Sequence, residues 1–383
     1  MSTTESRGGR AALMVAHCAG MVDLVALPVW VGTLIARYGF DPQQAGALAT
    51  LFLAGAVAAS LWVAPRFSRM RVRRIAPVAF GLSALAFVLC SQAQAFGALA
   101  VLHALGGLAA GTALSVTHGT VGRTANPHRL FGLLGLALGL FGVLFMGGAP
   151  QVVAAAGGPA LFFLFGGIMA VACVVTAIAF PTPSPAQVAP GPAHAAPLPR
   201  QVWPGILGIS CMALTQAMVF SFVERMGADR GFATGAVNGV LITLGLVNLV
   251  PGPLAALLQR RLDPRKVVLA GAGLQAVLAL VLAWSSGFAP YAAAGAVFVA
   301  VMIFSHTFCF GLLAALDPSG RAVAATPAML MVGSAIGPIL GGTLVKASGY
   351  GALGAAALVV DIVAVLLFFR LLPARGAVAV PAR

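Results

Sequence analysis

Charged residues are scarce in this sequence. It holds 8 Asp and Glu and 22 Lys and Arg in 383 residues, so only 8% of the chain is charged. A water-soluble domain carries about a quarter charged residues. The deficit excludes a soluble enzyme of this length, and the 60% apolar content excludes a disordered chain.

Motifs for catalysis, metal binding and nucleotide binding are also missing. The sequence contains no GxxxxGK[ST], HExxH or GxSxG pattern, which excludes an ATPase domain and gives no catalytic site, metal site or cofactor. No cysteines form a CxxC pair. The five cysteines lie far apart within apolar runs and are predicted to be free thiols: Cys18, Cys90, Cys173, Cys211 and Cys309.

Long apolar runs recur from end to end, and each is long enough for a membrane-spanning helix of about 20 residues. The runs do not alternate apolar and polar residues, so helices are expected rather than strands of a β-barrel. The sequence therefore predicts an all-α polytopic membrane protein. Twelve spans are predicted, at about 11–35, 43–65, 75–93, 97–121, 131–154, 160–180, 202–225, 234–258, 267–287, 290–315, 323–345 and 352–372.

The basic residues lie on one side of these predicted spans. With the N-terminus in the cytoplasm, all but four of the 22 Lys and Arg fall on the cytoplasmic side; the four are Arg37, Arg225, Arg230 and Lys346. This positive-inside bias predicts that both termini are cytoplasmic. It also accounts for the net charge of +14 without a nucleic-acid partner.

A proline-rich segment divides the chain into two similar parts. Residues 181–200 hold seven prolines, which forbid a regular helix, so a cytoplasmic linker is predicted at 181–201. The linker separates a six-helix bundle at 1–180 from another at 202–383. The parts resemble each other: IARYG at 35–39 matches VERMG at 223–227, and an acidic turn follows each. Parallel six-span repeats are typical of transporters whose halves rock against each other.

Two motifs carry a resemblance to a known family. Residues 61–71 read LWVAPRFSRMR, which is similar to the G-x-x-x-D-R-x-G-R-R/K loop of the major facilitator superfamily, with Arg66, Arg69 and Arg71 retained but Leu61 and Pro65 replacing the Gly and Asp. Residues 333–342 read GSAIGPILGG, a GxxxGPxxGG pattern. In span 5, where that pattern marks proton-driven exporters of the family, the Gly-Pro pair is missing.

The resemblance covers essentially the whole chain and implies twelve helices in two bundles around a central cavity. It implies a proton-coupled secondary transporter of the bacterial inner membrane, a monomer whose partners are a small-molecule substrate, protons and the lipid bilayer. Efflux of an amphipathic drug or metabolite is the preferred direction. Uptake of a small nutrient or a metal chelate such as a siderophore is the alternative, and a non-transporting membrane sensor or assembly factor is a third.

Ionisable residues inside spans each need a reason, because a charged side chain at the bilayer centre costs about 2.5–3.5 kcal/mol on insertion scales. Asp23, in the middle of span 1, is a candidate proton site. His103, in span 4, stands where the resemblance places an Arg linked to proton coupling. For both residues, a packed and hydrogen-bonded side chain is the alternative reading. Asp361 in span 12 has no role assigned from the sequence.

Other polar residues are candidates for the cavity and for gates. Gln216, Asn238 and His306 lie in spans 7, 8 and 10 and are candidates for substrate contact. Arg66 and Arg69 lie in the basic loop after span 2. Arg37, Glu224 and Arg225 lie at the outer ends of spans 1 and 7, where an ion pair between the halves is one expectation.

Overall fold

The computed structural model describes residues 4, 6–124, 127–181, 199–317, 322 and 326–371, and within these ranges the chain is α-helical without a β-strand. The first half contains α1 (Arg7–Gly20), α2 (Val22–Tyr38), α3 (Pro42–Val63), α4 (Val72–Cys90), α5 (Phe96–Val121), α6 (Pro127–Ala156) and α7 (Pro159–Ala179). The second contains α8 (Trp203–Phe220), α9 (Val223–Asp229), α10 (Thr234–Val247), α11 (Pro251–Leu258), α12 (Pro264–Trp284), α13 (Phe288–Leu316) and α14 (Thr326–Phe369). Most of the predicted linker, residues 182–198, lies outside the described residues.

Eleven helical segments of the described ranges are long and apolar enough to cross a membrane, and the multi-pass all-α prediction is thereby confirmed. The predicted count was twelve. The difference arises at the end of the chain, where the predicted spans 323–345 and 352–372 both overlap one 44-residue helix, α14. Within it Gly349 has a non-helical conformation (φ 75°, ψ −173°), which breaks the helix between the two predicted spans. A twelfth crossing stays a prediction.

Three predicted spans are interrupted helices. The first crossing consists of α1 and α2, which meet at Met21; the seventh consists of α8 and α9, and the eighth of α10 and α11. Single polar residues such as Ser221 and Asn248 at these interruptions do not end the apolar runs, so the sequence analysis did not predict the breaks. Broken helices are characteristic of transporter binding sites, because unpaired backbone groups within the membrane must line a cavity or be covered by protein.

Local sequence signals define the turn between the first two crossings. Gly39 ends α2 in the left-handed conformation (φ 69°), which a residue with a side chain adopts only with strain. Asp41 then caps α3 in a capping box with Gln44, and Pro42 occupies the first helical position. The turn therefore reverses the chain within a few residues and places a carboxylate at the end of the bundle.

Glycines allow close packing inside each half. In the first half, Gly107 and Gly111 of α5 lie against the backbone of Phe52 and Ala56 in α3. In the second half, a Cβ atom at Gly333 of α14 would overlap the carbonyl oxygen of Ser210 in α8. Small residues at a four-residue spacing bring helix backbones together where lipid provides no hydrophobic driving force.

The outer surface of the helices is strongly apolar. Leu144, Ile178 and Leu257 have exposed fractions of 67%, 74% and 75%. A soluble protein rarely exposes a continuous apolar surface of this kind. The exposed leucines and isoleucines therefore mark the surface that contacts lipid.

Replacing Gly333 by Ala should destabilise the second half, because the new methyl group would overlap the Ser210 carbonyl. Overpacking of this kind costs on the order of 1–3 kcal/mol. Gly273→Ala in α12 is the matched control, since open space surrounds that position. The apparent melting temperature in detergent should fall for Gly333→Ala and hold or rise for the control; equal values would contradict this packing.

Candidate functional site

The two halves meet along α3 and α14. Cβ atoms at Gly46 and Gly342 would overlap the carbonyl oxygens of Pro338 and Pro42, respectively, so backbone contacts backbone on this line. The amide N–H of Ile339 also donates to the Thr50 hydroxyl at 3.1 Å. The GxxxGPxxGG segment therefore has two faces, one on α8 of its own half and the other on α3 of the opposite half.

An ion pair joins the halves at the end of this contact. Lys346 Nζ of α14 donates to Asp41 Oδ2 at 2.9 Å and to Gln43 Oε1 at 3.3 Å. We call the end of the molecule that holds Asp41, Asp229 and Lys346 the gate end. Slight burial raises the pKa of Asp41, but hydrogen bonds from Lys346 and from the Gln44 amide outweigh it and hold the pKa below its ordinary value. Asp41 is therefore ionised and paired at neutral pH.

A second polar cluster at the gate end lies within the second half. Arg225 forms an ion pair with Asp229 at 2.5 Å, and the Tyr350 hydroxyl donates to Asp229 at 2.7 Å. This cluster ties α9 to α14. Arg225, a predicted gate residue, is thus engaged inside its own half in this conformation.

Glu224 of α9 contacts the first half at a different position from the Lys346–Asp41 ion pair. Its carboxylate lies against Gly32 of α2, where a side chain on residue 32 would collide with it. The predicted partner, Arg37, is exposed five residues further along α2. Five residues rotate about 140° around a helix, so Gly32 and Arg37 lie on different sides of α2. The position of Glu224 between the halves agrees with a gate role, while a pair with Arg37 stays a prediction.

Asp23 lies immediately after the interruption of the first crossing. Its side chain is buried, and its Oδ1 atom has no hydrogen-bond partner in the part of the chain that the structure describes. Two helical turns separate Asp23 from Trp30, so the two residues share one face of α2. The ring of Trp30 contacts His103 and Phe165, so this face is directed toward the interior of the first half. An unpaired carboxylate oxygen in this setting favours a neutral, protonated acid.

His103 is enclosed in an aromatic cluster. It is fully buried and lies between Trp30 and Phe162, at ring-centroid distances of 5.4 and 5.6 Å. Its Nδ1–H donates to the Leu99 carbonyl oxygen at 2.7 Å, and its Nε2 accepts from the Trp30 indole N–H at 3.3 Å. Both nitrogens of a neutral imidazole are thereby satisfied. This arrangement favours the packing alternative for His103.

The predicted cavity residues lie on three helices of the second half. Gln216 of α8 is half-buried and its Oε1 atom lacks a hydrogen-bond partner in the described ranges; Asn238 of α10 is 8% exposed. His306 of α13 is hydrogen-bonded through Nδ1 to the Met302 carbonyl oxygen at 3.0 Å. Asn248, at the break between α10 and α11, has a buried Oδ1 atom that is likewise unpaired. Gln216 and Asn248 therefore each hold a buried acceptor without a partner in the described ranges.

The basic loop forms a short 3₁₀ helix, Ala64–Arg69, at the opposite end from the gate end. Arg66 donates to the Trp62 carbonyl oxygen at 3.0 Å and its guanidinium lies 4.8 Å from the centroid of the Trp62 ring, while Arg69 is exposed. Arg123, after α5, lies over Phe67 at 4.5 Å. An aromatic contact thus holds Arg66 of this loop, and another holds Arg123 of the loop after α5 against Phe67.

Two features of the site were missed by the sequence analysis. Lys346 was assigned only to the outer side, although it is one of two lysines in the chain and the other, Lys266, lies in the first turn of α12 on the opposite side. His17 and His118 form a hydrogen-bonded pair at 2.9 Å between α1 and α5. No local pattern reveals such pairs, because their members are far apart in the sequence.

Comparisons with known proteins agree on the fold. Residues 12–319 match the family described as Major Facilitator Superfamily. A bacterial homologue of the human lysosomal transporter Spinster, in an inward-facing and occupied conformation, superposes with a TM-score of 0.68 at 13% identity, over 96% of this chain and 95% of that one. A single-residue variant of the nucleoside transporter NupG superposes with a TM-score of 0.71 at 13% identity, over 94% of this chain and 98% of that one. No curated protein sequence matches this chain significantly.

Breaking the gate-end ion pair should favour separation of the halves there. Asp41→Asn and Lys346→Met each remove a half-exposed pair worth about 0–1 kcal/mol, so opening should increase by up to roughly fivefold. Spin labels at the exposed positions Gln92 and Ser286, in a cysteine-free background, report the separation.

Acidification should also favour separation of the halves at the gate end, but only at low pH. The depressed pKa of Asp41 keeps the pair intact above the ordinary carboxyl range and releases it as the pH falls through that lowered pKa. If the distance between the labels is the same in the wild type and in both variants, the ion pair does not hold the gate end closed.

Replacing His103 by Ala should lower stability without moving the pH dependence of activity. The change removes two hydrogen bonds and leaves a cavity in the aromatic cluster, a loss of about 2–4 kcal/mol. His306→Ala is the comparison variant, because it removes one backbone hydrogen bond from a half-buried side chain. A shifted pH profile with unchanged melting temperature would instead make His103 a proton site.

Proposed function

The chain belongs to the major facilitator superfamily, which makes it a transporter rather than an enzyme, and we propose that it exports a small amphipathic organic compound in exchange for protons. Alternating access would move one half against the other around a central cavity. The multi-pass fold and the family membership support a small-molecule substrate and a membrane location. The bacterial inner membrane, cytoplasmic termini, a monomeric state and the bundle boundaries at 1–180 and 202–383 are parts of the proposal.

Asp23 carries the proton-coupling part of the proposal. It is buried at a helix break with an unpaired oxygen, and no Lys or Arg forms an ion pair with it among the described residues. An acid in this position binds a proton when sealed from water and releases it when hydrated. Coupling then requires only that the two orientations of the halves hydrate Asp23 from different sides.

The contacts between the halves support alternating access. At the gate end they include a half-exposed ion pair, the hydrogen bond from Ile339 to Thr50, backbone packing at Gly46 and Gly342, and the Glu224 carboxylate against Gly32. The members of the ion pair are already partly in water, and separation would hydrate the Glu224 carboxylate. The halves can therefore part there without breaking the glycine contacts that hold each half together.

Polar groups of the second half support the proposed substrate class. Gln216 and Asn248 present unpaired amide oxygens among apolar side chains, and His306 adds a ring nitrogen. Such surroundings suit a largely apolar solute with a few hydrogen-bond donors. The residues carry no permanent charge, which argues against a small inorganic ion.

Uptake of a small nutrient or metal chelate is the second candidate. It is favoured by the absence of the Gly-Pro pair from span 5 and by His103, which supplies no permanent positive charge at the position where exporters of the family carry Arg. The two directions predict opposite proton movements for the same solute.

Asp23→Asn should abolish solute accumulation against a gradient while leaving solute exchange, because the amide mimics the protonated acid but cannot release a proton. Asp263→Asn is the matched control, since Asp263 is exposed and caps α12 in a loop. A variant that concentrates solute as well as the wild type would remove Asp23 from the coupling mechanism.

Vesicles of both orientations identify the direction and the solute class. Proton release from acidified everted vesicles, on addition of antibiotics, siderophores, organic acids or amino acids, would establish antiport. Solute-driven proton uptake into right-side-out vesicles would establish symport and replace the efflux proposal with uptake.

A further inference from the structure

Asp361 is the second carboxylate buried within a predicted span, and it lies away from the interface between the halves. It belongs to the last part of α14 and is fully buried. Both of its carboxylate oxygens lack a hydrogen-bond partner in the described ranges. The ionised form of such a group would be costly in hydrocarbon without a partner.

Helix register places Thr215 beside Asp361. Gly208 of α8 contacts Phe368 of α14, and Gly205 contacts Leu371 just after the end of α14, so the two helices run antiparallel here. Two turns further on, Thr215 comes level with Asp361. The Thr215 hydroxyl is the side-chain group that interacts with the carboxylate, yet it also lacks a hydrogen bond of ordinary geometry.

Helix register also places Gln275 of α12 at the same depth as Asp361 and Thr215. Gly354 of α14 contacts Ala283 of α12, and about two turns from each lie Asp361 and Gln275. Gln275 is fully buried; its Nε2 donates to the Met212 carbonyl oxygen of α8 at 2.9 Å, and its Oε1 is unpaired. Three helices thus converge on one buried polar cluster.

The cluster has more acceptors than donors. The two Asp361 oxygens and Gln275 Oε1 accept hydrogen bonds, while the three side chains supply two uncommitted donors, the Thr215 hydroxyl and the second N–H of Gln275 Nε2. The titratable group that faces Asp361 is the Cys211 thiol of α8. A proton on Asp361 would remove the buried charge and supply the missing donor.

We propose that Asp361, with Thr215 and Gln275, forms a second proton-binding site, in the second half of the transporter. The carboxylate takes one proton from water when the site is hydrated and returns it to water when the site reopens, with no other bond changed. The inference rests on the proposed proton-coupled function and extends it: the first half would bind a proton at Asp23 and the second half at Asp361, so a cycle moves up to two protons.

Infrared spectroscopy of the purified protein in liposomes tests the site without a solute. The wild type should show a protonated-carboxyl C=O band that is missing from Asp361→Asn and retained in Asp23→Asn. The band should weaken as the pH is raised and return when it is lowered. In a weakly buffered pH jump, wild type should release one more proton per protein than Asp361→Asn.

Two substitutions separate the hydrogen-bond partner from general effects of mutation. Thr215→Val keeps the size of the side chain but removes the hydroxyl, so the C=O band should change frequency. Thr307→Val is the matched control, because that exposed hydroxyl bonds to its own helix at Ile303. If Asp361→Asn does not fold, Asp361→Glu retains the acid and should retain a shifted band.

Three results would overturn the proposal. No missing band in Asp361→Asn would mean that the carboxylate is ionised. A band that persists unchanged at every pH would make Asp361 a permanently neutral structural acid. A band that appears only when choline replaces Na⁺ would make the cluster a sodium site. A failure of Asp23 to couple transport would leave these signals unaffected, so the two proposals can fail separately.

Discussion

The absence of water in the hydrocarbon layer is the constraint on which the rest of this structure depends. Backbone groups must be hydrogen-bonded within each span, so the described chain is helical. The same constraint confines charges to the ends of the helices. Each buried polar side chain has a free-energy cost in the bilayer, so its presence indicates a role in packing or function. Asp23, His103 and Asp361 are therefore the positions at which the sequence departs most from what the membrane favours.

Glycine-mediated contact provides the attraction that lipid does not. The segment around Gly333 to Gly342 lies against α8 through one face and against α3 of the other half through the next. One helix is thus both a structural part of its own half and the surface on which the opposite half rests. The face within the second half is formed by close packing of glycines on backbone and apolar side chains, whereas the face between the halves ends in an ion pair that water can replace.

The buried polar groups resolve into two kinds. His103 has a partner for each ring nitrogen inside an aromatic cluster and behaves as part of the packing. Asp23 and Asp361 each have an unpaired carboxylate oxygen and no compensating cation in the described ranges, which makes protonation the simplest means of neutralising them. The two kinds differ in whether all polar atoms of the side chain have hydrogen-bond partners, which the residue type alone does not reveal.

Composition and the length of the apolar runs sufficed for the all-α membrane fold and the candidate status of Asp23, because the transfer of a segment into the bilayer depends on its own apolar length and charge. The family was indicated by the resemblance of two motifs, at 61–71 and 333–342. The breaks at Met21 and Asn248 were not predicted, since one polar residue or none at each break leaves a run that is apolar enough to span the membrane. Nor did the sequence pair Asp41 with Lys346, distant in the chain, or bring Thr215 and Gln275 level with Asp361. Those relations depend on the register and rotation of helices against one another, which are set by contacts between spans, and only the tertiary structure decides them.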